Sequence, residues 1–246
     1  MKKPFIALVS ILIFSFQAQA QQLHATMISG DLAGNARPKK DLLAQAAVSH
    51  PEALADAIMW MRNDTVFLFG GRAFTPGAIN DQNVNNRLWR YVQLEGWQLI
   101  AGDPASMVRT AQEAANTNVN YGSMGVASSS NYPGGRFGAA YGQAPNGDLY
   151  MYGGYGVDEA KNVGLLGNLW KFDGQNWTWL SGDKLMNQQS VRTSSPRVTP
   201  VSTTRPGGRF QSSLWVDESY NVYVFGGSFD INTYLDHQEN LQDLMK

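Results

Sequence analysis

Apolar residues in this chain fall in short runs cut by turn residues, not at helical spacing. The segment from Pro133 to Asp183 shows this most clearly, with apolar runs at Phe137–Tyr141, Leu149–Tyr152, Leu169–Phe172 and Trp177–Leu180. Runs of this length, rich in aromatic and β-branched residues and bounded by Gly, Pro, Asn and Asp, predict strands. Between them lie Pro145-Asn146-Gly147-Asp148 and Asp173-Gly174-Gln175-Asn176. Asn-Gly and Asp-Gly supply the positive φ that tight hairpin turns need. Four strands joined this way make an antiparallel meander, and one such sheet cannot cover both of its faces by itself. Further sheets of the same kind are therefore expected.

The sequence contains them. Val66–Gly71 (VFLFGG) and Val222–Gly227 (VYVFGG) repeat the second strand, which ends at the pair Gly153-Gly154. Leu88-Trp89-Arg90-Tyr91 matches Leu169-Trp170-Lys171-Phe172, and Trp97 with Gly102-Asp103 matches Trp177 with Gly182-Asp183. Pro206-Gly207-Gly208-Arg209-Phe210 repeats Pro133-Gly134-Gly135-Arg136-Phe137. The repeats span about 51–103, 133–183 and 206–246. Aligning them places the first strand of the first repeat at Ala57–Met61 and puts Leu244-Met245 at the third strand of the last. A lone fourth strand at about 24–30 precedes the first repeat, because His24–Asp31 lines up with Asn176–Asp183. Asp41–Val48, rich in helix formers, predicts a short helix.

A strand closed by Gly-Gly (Gly70-Gly71, Gly153-Gly154, Gly226-Gly227), then a Leu-Trp strand, then a Trp strand, resembles the kelch repeat. The resemblance covers about residues 24–246 and is closest to long-looped bacterial extracytoplasmic kelch proteins. It implies an all-β, kelch-type β-propeller of about three blades: a lone N-terminal strand, two full blades and a C-terminal three-stranded set. That makes a partial propeller, since propellers usually have at least four blades. Gly71 to Gly154 is 83 residues and Gly154 to Gly227 is 73, both longer than the ~50 of a minimal kelch unit because loops are inserted. In a radial stack, Trp89, Trp97, Trp170, Trp177 and Trp179 fill the space between blades. The glycine pairs release the chain where a Cβ would crowd a neighbour, and Arg136 and Arg209 bond carbonyls or a carboxylate of an adjacent blade.

Composition narrows the setting. Met1-Lys2-Lys3, the apolar stretch Phe5–Phe16 and Ala18-Gln19-Ala20 read as a secretory signal peptide over residues 1–20, cleaved after Ala20. A secreted or periplasmic protein without stable membrane insertion is the expectation. Cysteine is absent, which excludes disulfides, thiolate metal sites and cysteine nucleophiles. Removing Lys2 and Lys3 with the leader leaves 17 basic residues against 20 acidic, a net charge of −3 that disfavours nucleic acid as a partner.

Long connections gather on one face of the expected fold, at 72–85, 155–167 and 228–239 and at 32–50, 104–132 and 184–205. Loops on a rigid scaffold carry binding groups, and the candidates there are Arg72, Phe74, Tyr121, Tyr132, Tyr155, Asp158, Arg192, Phe229, Tyr234 and His237. His24, His50 and His237 show no metal-ligand spacing, and Asp81-x-Asn83-x-Asn85 lacks the glycine and glutamate of a calcium loop. No catalytic set, metal or cofactor is predicted. The reading is a binding module for protein or carbohydrate. Three alternatives stand beside it: a sugar-directed enzyme of the sialic-acid mutarotase type in a completed propeller, a truncated propeller without function, and a homodimer that completes the ring. The copper chemistry of galactose-oxidase-type propellers is not available to a chain without cysteine.

Overall fold

Alternation of buried and exposed positions dictates the elements. In the computed structural model the described residues are 50–51, 54–73, 84–102, 118–190, 205–229 and 244–245. The leader at 1–20, the lone strand at 24–30, the helix at Asp41–Val48, and Phe74, Arg192, Tyr234 and His237 lie outside them. All the described residues belong to one compact unit, Asp31–Lys246.

The described chain is all-β. In order, its strands are β1 (Leu54–Ala55), β2 (Ile58–Arg62), β3 (Thr65–Phe69), β4 (Arg72–Ala73), β5 (Leu88–Val92), β6 (Gly96–Ala101), β7 (Arg136–Phe137) and β8 (Ala140–Gln143). They continue with β9 (Leu149–Tyr152), β10 (Tyr155–Val157), β11 (Val163–Leu165), β12 (Asn168–Phe172), β13 (Trp177–Gly182), β14 (Ser213–Val216), β15 (Val222–Phe225) and β16 (Leu244–Met245). Three antiparallel sheets dominate: sheet I (β2-β3-β5-β6), sheet II (β8-β9-β12-β13) and sheet III (β14-β15-β16). Two smaller sheets, β1-β4 and β7-β10-β11, stand beside them, and no sheet closes on itself.

The meanders follow the expected turns. Asn63 and Asp64, both at positive φ (46° and 59°), close β2 onto β3. Asp173 Oδ1 accepts from the amides of Gln175 (2.8 Å) and Asn176 (2.7 Å), fixing the β12–β13 turn through its own side chain. Two elements differ from the sequence pattern. The apolar run Phe137–Tyr141 is not one strand: Gly138 turns at φ +62°, dividing it into β7 and β8. The stretch 155–167, expected as loop, folds back as the β10–β11 hairpin, and β10 also pairs with β7.

The core lies between the sheets. Residues in register give each large sheet two faces, here called forward (toward the next sheet) and rear. The forward face of sheet I (Ile58, Trp60, Phe67, Phe69) meets the rear face of sheet II (Leu149, Met151, Phe172, Trp177). Ring contacts cross this joint from Trp60 to Phe172 (5.8 Å) and from Phe69 to Trp177 (5.2 Å). The forward face of sheet II (Ala140, Tyr150, Tyr152) meets the rear face of sheet III (Leu214, Val216, Val224). Each large side chain fully buried here contributes about 1.5–3 kcal/mol over leaving it in water. Sheet II is thus covered on both sides, and all four residues of β9 are buried.

Backbone hydrogen bonds repeat at both joints. Gly71 N donates to Arg136 O and Gly154 N to Arg209 O, each at 2.8 Å. Gly138 N donates to Asp56 O (3.0 Å) and Gln211 N to Gly138 O (2.7 Å). The glycine pairs are required here. A Cβ on Gly153 (φ +70°) would stand 2.5 Å from Arg209 O. Arg136 and Arg209 are fully buried, and their guanidinium groups bond carbonyls of their own repeats. Arg136 donates to Gly134 O, Gly153 O and Asn168 Oδ1, while Arg209 donates to Gly207 O and Gly226 O. Each arginine ties its strand entrance to the first glycine of the pair.

Candidate functional site

The predicted loop-face residues divide into two groups once placed. Tyr121, Tyr132 and Asp158 are buried and engaged by the chain itself. The segment 118–132 runs along the outer strand of sheet II: Gly125 N donates to Trp179 O (2.8 Å), and Asn131 Nδ2 donates to Trp177 O (3.0 Å). This covers backbone that an edge strand would otherwise expose for unwanted pairing. Tyr121 enters the core from this segment, 4.8 Å from the Trp170 ring and 5.5 Å from the Trp179 ring. Its hydroxyl accepts from Asn168 Nδ2 at 2.7 Å. Burial pushes its phenol up to about 12, against the opposing pull of the Arg136 guanidinium. Burial likewise brings Arg136 down to about 10, still charged at neutral pH, with the Tyr121 hydroxyl acting the other way.

Tyr132 closes the joint between sheets I and II, edge-on to Phe69 at 6.2 Å, and donates to Asn86 O at 2.6 Å. Its burial raises the phenol far above the ordinary range. Asp158 accepts from Asn162 N (2.8 Å) and Met186 N (3.1 Å), so it fastens the β10–β11 turn to the loop that follows β13. Lys184 completes the fastening, bonded to Glu159 Oε1 at 2.8 Å and lying 5.0 Å from the Trp179 ring centre.

Arg72, Tyr155 and Phe229 remain reachable from solvent. Arg72 pairs with Asp56 (3.7 Å) and lies over the Phe137 ring at 5.3 Å, while the Tyr155 ring tilts against the Phe137 ring at 5.6 Å. Phe229 is 48% exposed and borders a cleft of about 330 Å³. Asn187, Gln188, Gln189 and Ser190 line it with Phe229, together with Leu165, Gly207 and Gly208. The structure therefore brings Phe229 together with residues of the 184–205 loop, but not with Tyr121, Tyr132 or Asp158.

Local bonds hold that wall in place. Gly208 N donates to Gln188 O (2.8 Å), Gly207 N to Ser190 Oγ (2.9 Å), and Leu165 N to Asn187 Oδ1 (2.9 Å). Gln188 Nε2 donates to Met186 O at 3.0 Å. The wall is thus preorganised and offers amide and hydroxyl groups beside an aromatic ring. Every described side chain lining it is uncharged. Sequence reasoning named the loop but not these four residues, although the polar run Asn187-Gln188-Gln189-Ser190 was the visible signal.

Among the described residues, no group of three or more His, Cys, Asp or Glu side chains is placed to hold a metal ion, and no helix is long and apolar enough to cross a membrane. His50, the described histidine, has Nδ1 2.8 Å from Pro51 O. No protein-family model matches this chain, and no curated protein matches it in sequence.

Proposed function

We propose that this chain is an extracytoplasmic binding module of the kelch-propeller type, and that it recognises a neutral glycan in the cleft beside Phe229. The propeller reading is supported by glycine pairs and tryptophans recurring at equivalent positions of consecutively stacked sheets. One observation carries the ligand class: a cleft whose described lining is uncharged and combines an exposed aromatic ring with a fixed row of amides and a hydroxyl. Amides both donate and accept, which suits the vicinal hydroxyls of a sugar. The apolar C–H face of a pyranose suits a ring such as Phe229, and few, well-placed polar groups on a preformed wall are what small-molecule sites use. Among the described lining residues a charged ligand finds no counter-charge.

The test is calorimetric titration with neutral mono- and disaccharides (glucose, galactose, N-acetylglucosamine, maltose and lactose) beside sialic acid and glucuronic acid. Binding confined to the neutral set, and weakened about tenfold by Phe229→Ala, is the expected result. Preference for the acidic sugars, or binding indifferent to Phe229→Ala, overturns the assignment.

A further inference from the structure

The two outer sheets of the stack each carry one open apolar face, and the two are complementary. By register, Trp215, Tyr223 and Phe225 of sheet III occupy the positions of Gly142, Tyr150 and Tyr152 in sheet II. In sheet II that forward face is covered by sheet III. In sheet III, Trp215 is 61% and Phe225 51% exposed, with Trp215 stacked on Tyr223 at 4.9 Å. At the other end, Met59 and Met61 on the rear of sheet I are 57% and 58% exposed, with Val66 and Leu68 beside them half-buried. Trp89, on the same rear face but in β5, is already buried, so the opening lies over β2 and β3.

We propose that copies of this chain associate head to tail, the forward face of sheet III in one copy seating on the rear face of sheet I in the next. The contact continues a joint the chain already makes twice. In both internal joints a forward face bearing rings meets a rear face bearing leucine, valine or methionine, joined in sheet II by Phe172 and Trp177. Flexible, polarisable methionine thioethers make favourable contacts with aromatic rings. The backbone geometry extends as well: Gly227 N and Leu54 O hold the positions of the Gly71–Arg136 and Gly154–Arg209 pairs. A forward-to-rear contact is heterologous, so it either closes into a ring or propagates. Two copies closing this way make a ring of six sheets. The inference stands on sheet register and exposure, and is independent of the glycan assignment.

Sedimentation equilibrium of the full chain tests it, using Trp215→Asp to spoil the forward face and the double change Met59→Asp with Met61→Asp to spoil the rear. All three residues are exposed, and thermal unfolding checks that the variants stay folded. The wild type is expected at twice the chain mass or more, with each variant's association weakened about a hundredfold. Mixing the two variants in equal amounts restores a one-joint pair, because each supplies the face the other lacks. A wild type that stays monomeric up to ~100 µM overturns the proposal, since those faces would then be covered by other parts of the chain or by a different protein. Loss of association in only one of the variants, or a mixture that does not pair, overturns it equally, because an isologous contact behaves that way.

Discussion

Sheets I and II carry nearly the same rear face and bury it very differently. Val66, Leu68, Tyr91 and Trp97 in sheet I correspond by register to Leu149, Met151, Phe172 and Trp177 in sheet II. The four in sheet II are at most 2% exposed, whereas their counterparts are half-buried. The residues are of one kind, so chemistry does not make the difference. Having a sheet in front does. Position in the stack therefore decides how much each repeated residue contributes, and the comparison can be broken by experiment.

The largest expected effect is at the paired tryptophans. Trp177→Ala removes a ring held between Phe69 (5.2 Å) and Phe172 (4.8 Å), and should cost about 3–5 kcal/mol in thermal or chemical unfolding. Trp97→Ala, touching Tyr91 at 5.4 Å on the open side, should cost less than half as much. Equal losses would mean that the rear face of sheet I is covered as fully as that of sheet II.

Alkaline pH sharpens the contrast in a second way. Groups raised by burial favour the folded state below their unfolded value, and that contribution is lost as pH rises through the folded value. Tyr121, raised to about 12, therefore weakens the fold above pH ~10. Arg136, lowered to about 10, works in the opposite direction over nearly the same interval, because its folded form releases a proton before the unfolded chain does. The two largely offset each other, and Tyr132, raised further still, decides the sign. Stability is expected to fall above pH 10, and Tyr132→Phe should flatten that fall. The same change removes the bond to Asn86 O, at a cost of about 1 kcal/mol at neutral pH.

The smallest effect concerns the turns that follow the third strand in the two sheets. Sheet II places Gly174 there at φ +96°, but sheet I places Leu94 at φ +73° with its side chain 99% exposed. Leu94→Gly should relieve the left-handed strain and raise stability by up to about 1 kcal/mol, read as a small upward shift in Tm.

What the sequence reveals follows the reach of the interactions involved. Gly70-Gly71, Gly153-Gly154, Trp170 and Trp177 recur because each sheet joint imposes the same local demand, so their register was readable in advance. Even β16, two residues at the far end of a long connection, pairs with β15 where the spacing put it. The placement of Tyr121 and Tyr132 was not readable. Both sit in a long, polar-looking connection, and what buries them is sheet surface some 45 residues further along or back. Asp158 looked like an exposed binding group because its partners are backbone amides, which leave no mark in the sequence. The β10–β11 hairpin was hidden by Gly156 and Gly164, which break the alternation that reveals a strand. The cleft depends on a loop returning to meet Gly207 and Gly208, a long-range closure that no local pattern records.

The joints between sheets are also tied by peptide groups: Gly71 to Arg136, Gly154 to Arg209, Asp56 to Gly138 to Gln211. Because peptide groups are common to all residues, this part of the step from one sheet to the next is insulated from drift in side chains. Repeats 83 and 73 residues apart along the sequence keep the same bonds. Insertions can accumulate in the connections without breaking these bonds, so the loops are free to diversify while the sheets stay tied to one another.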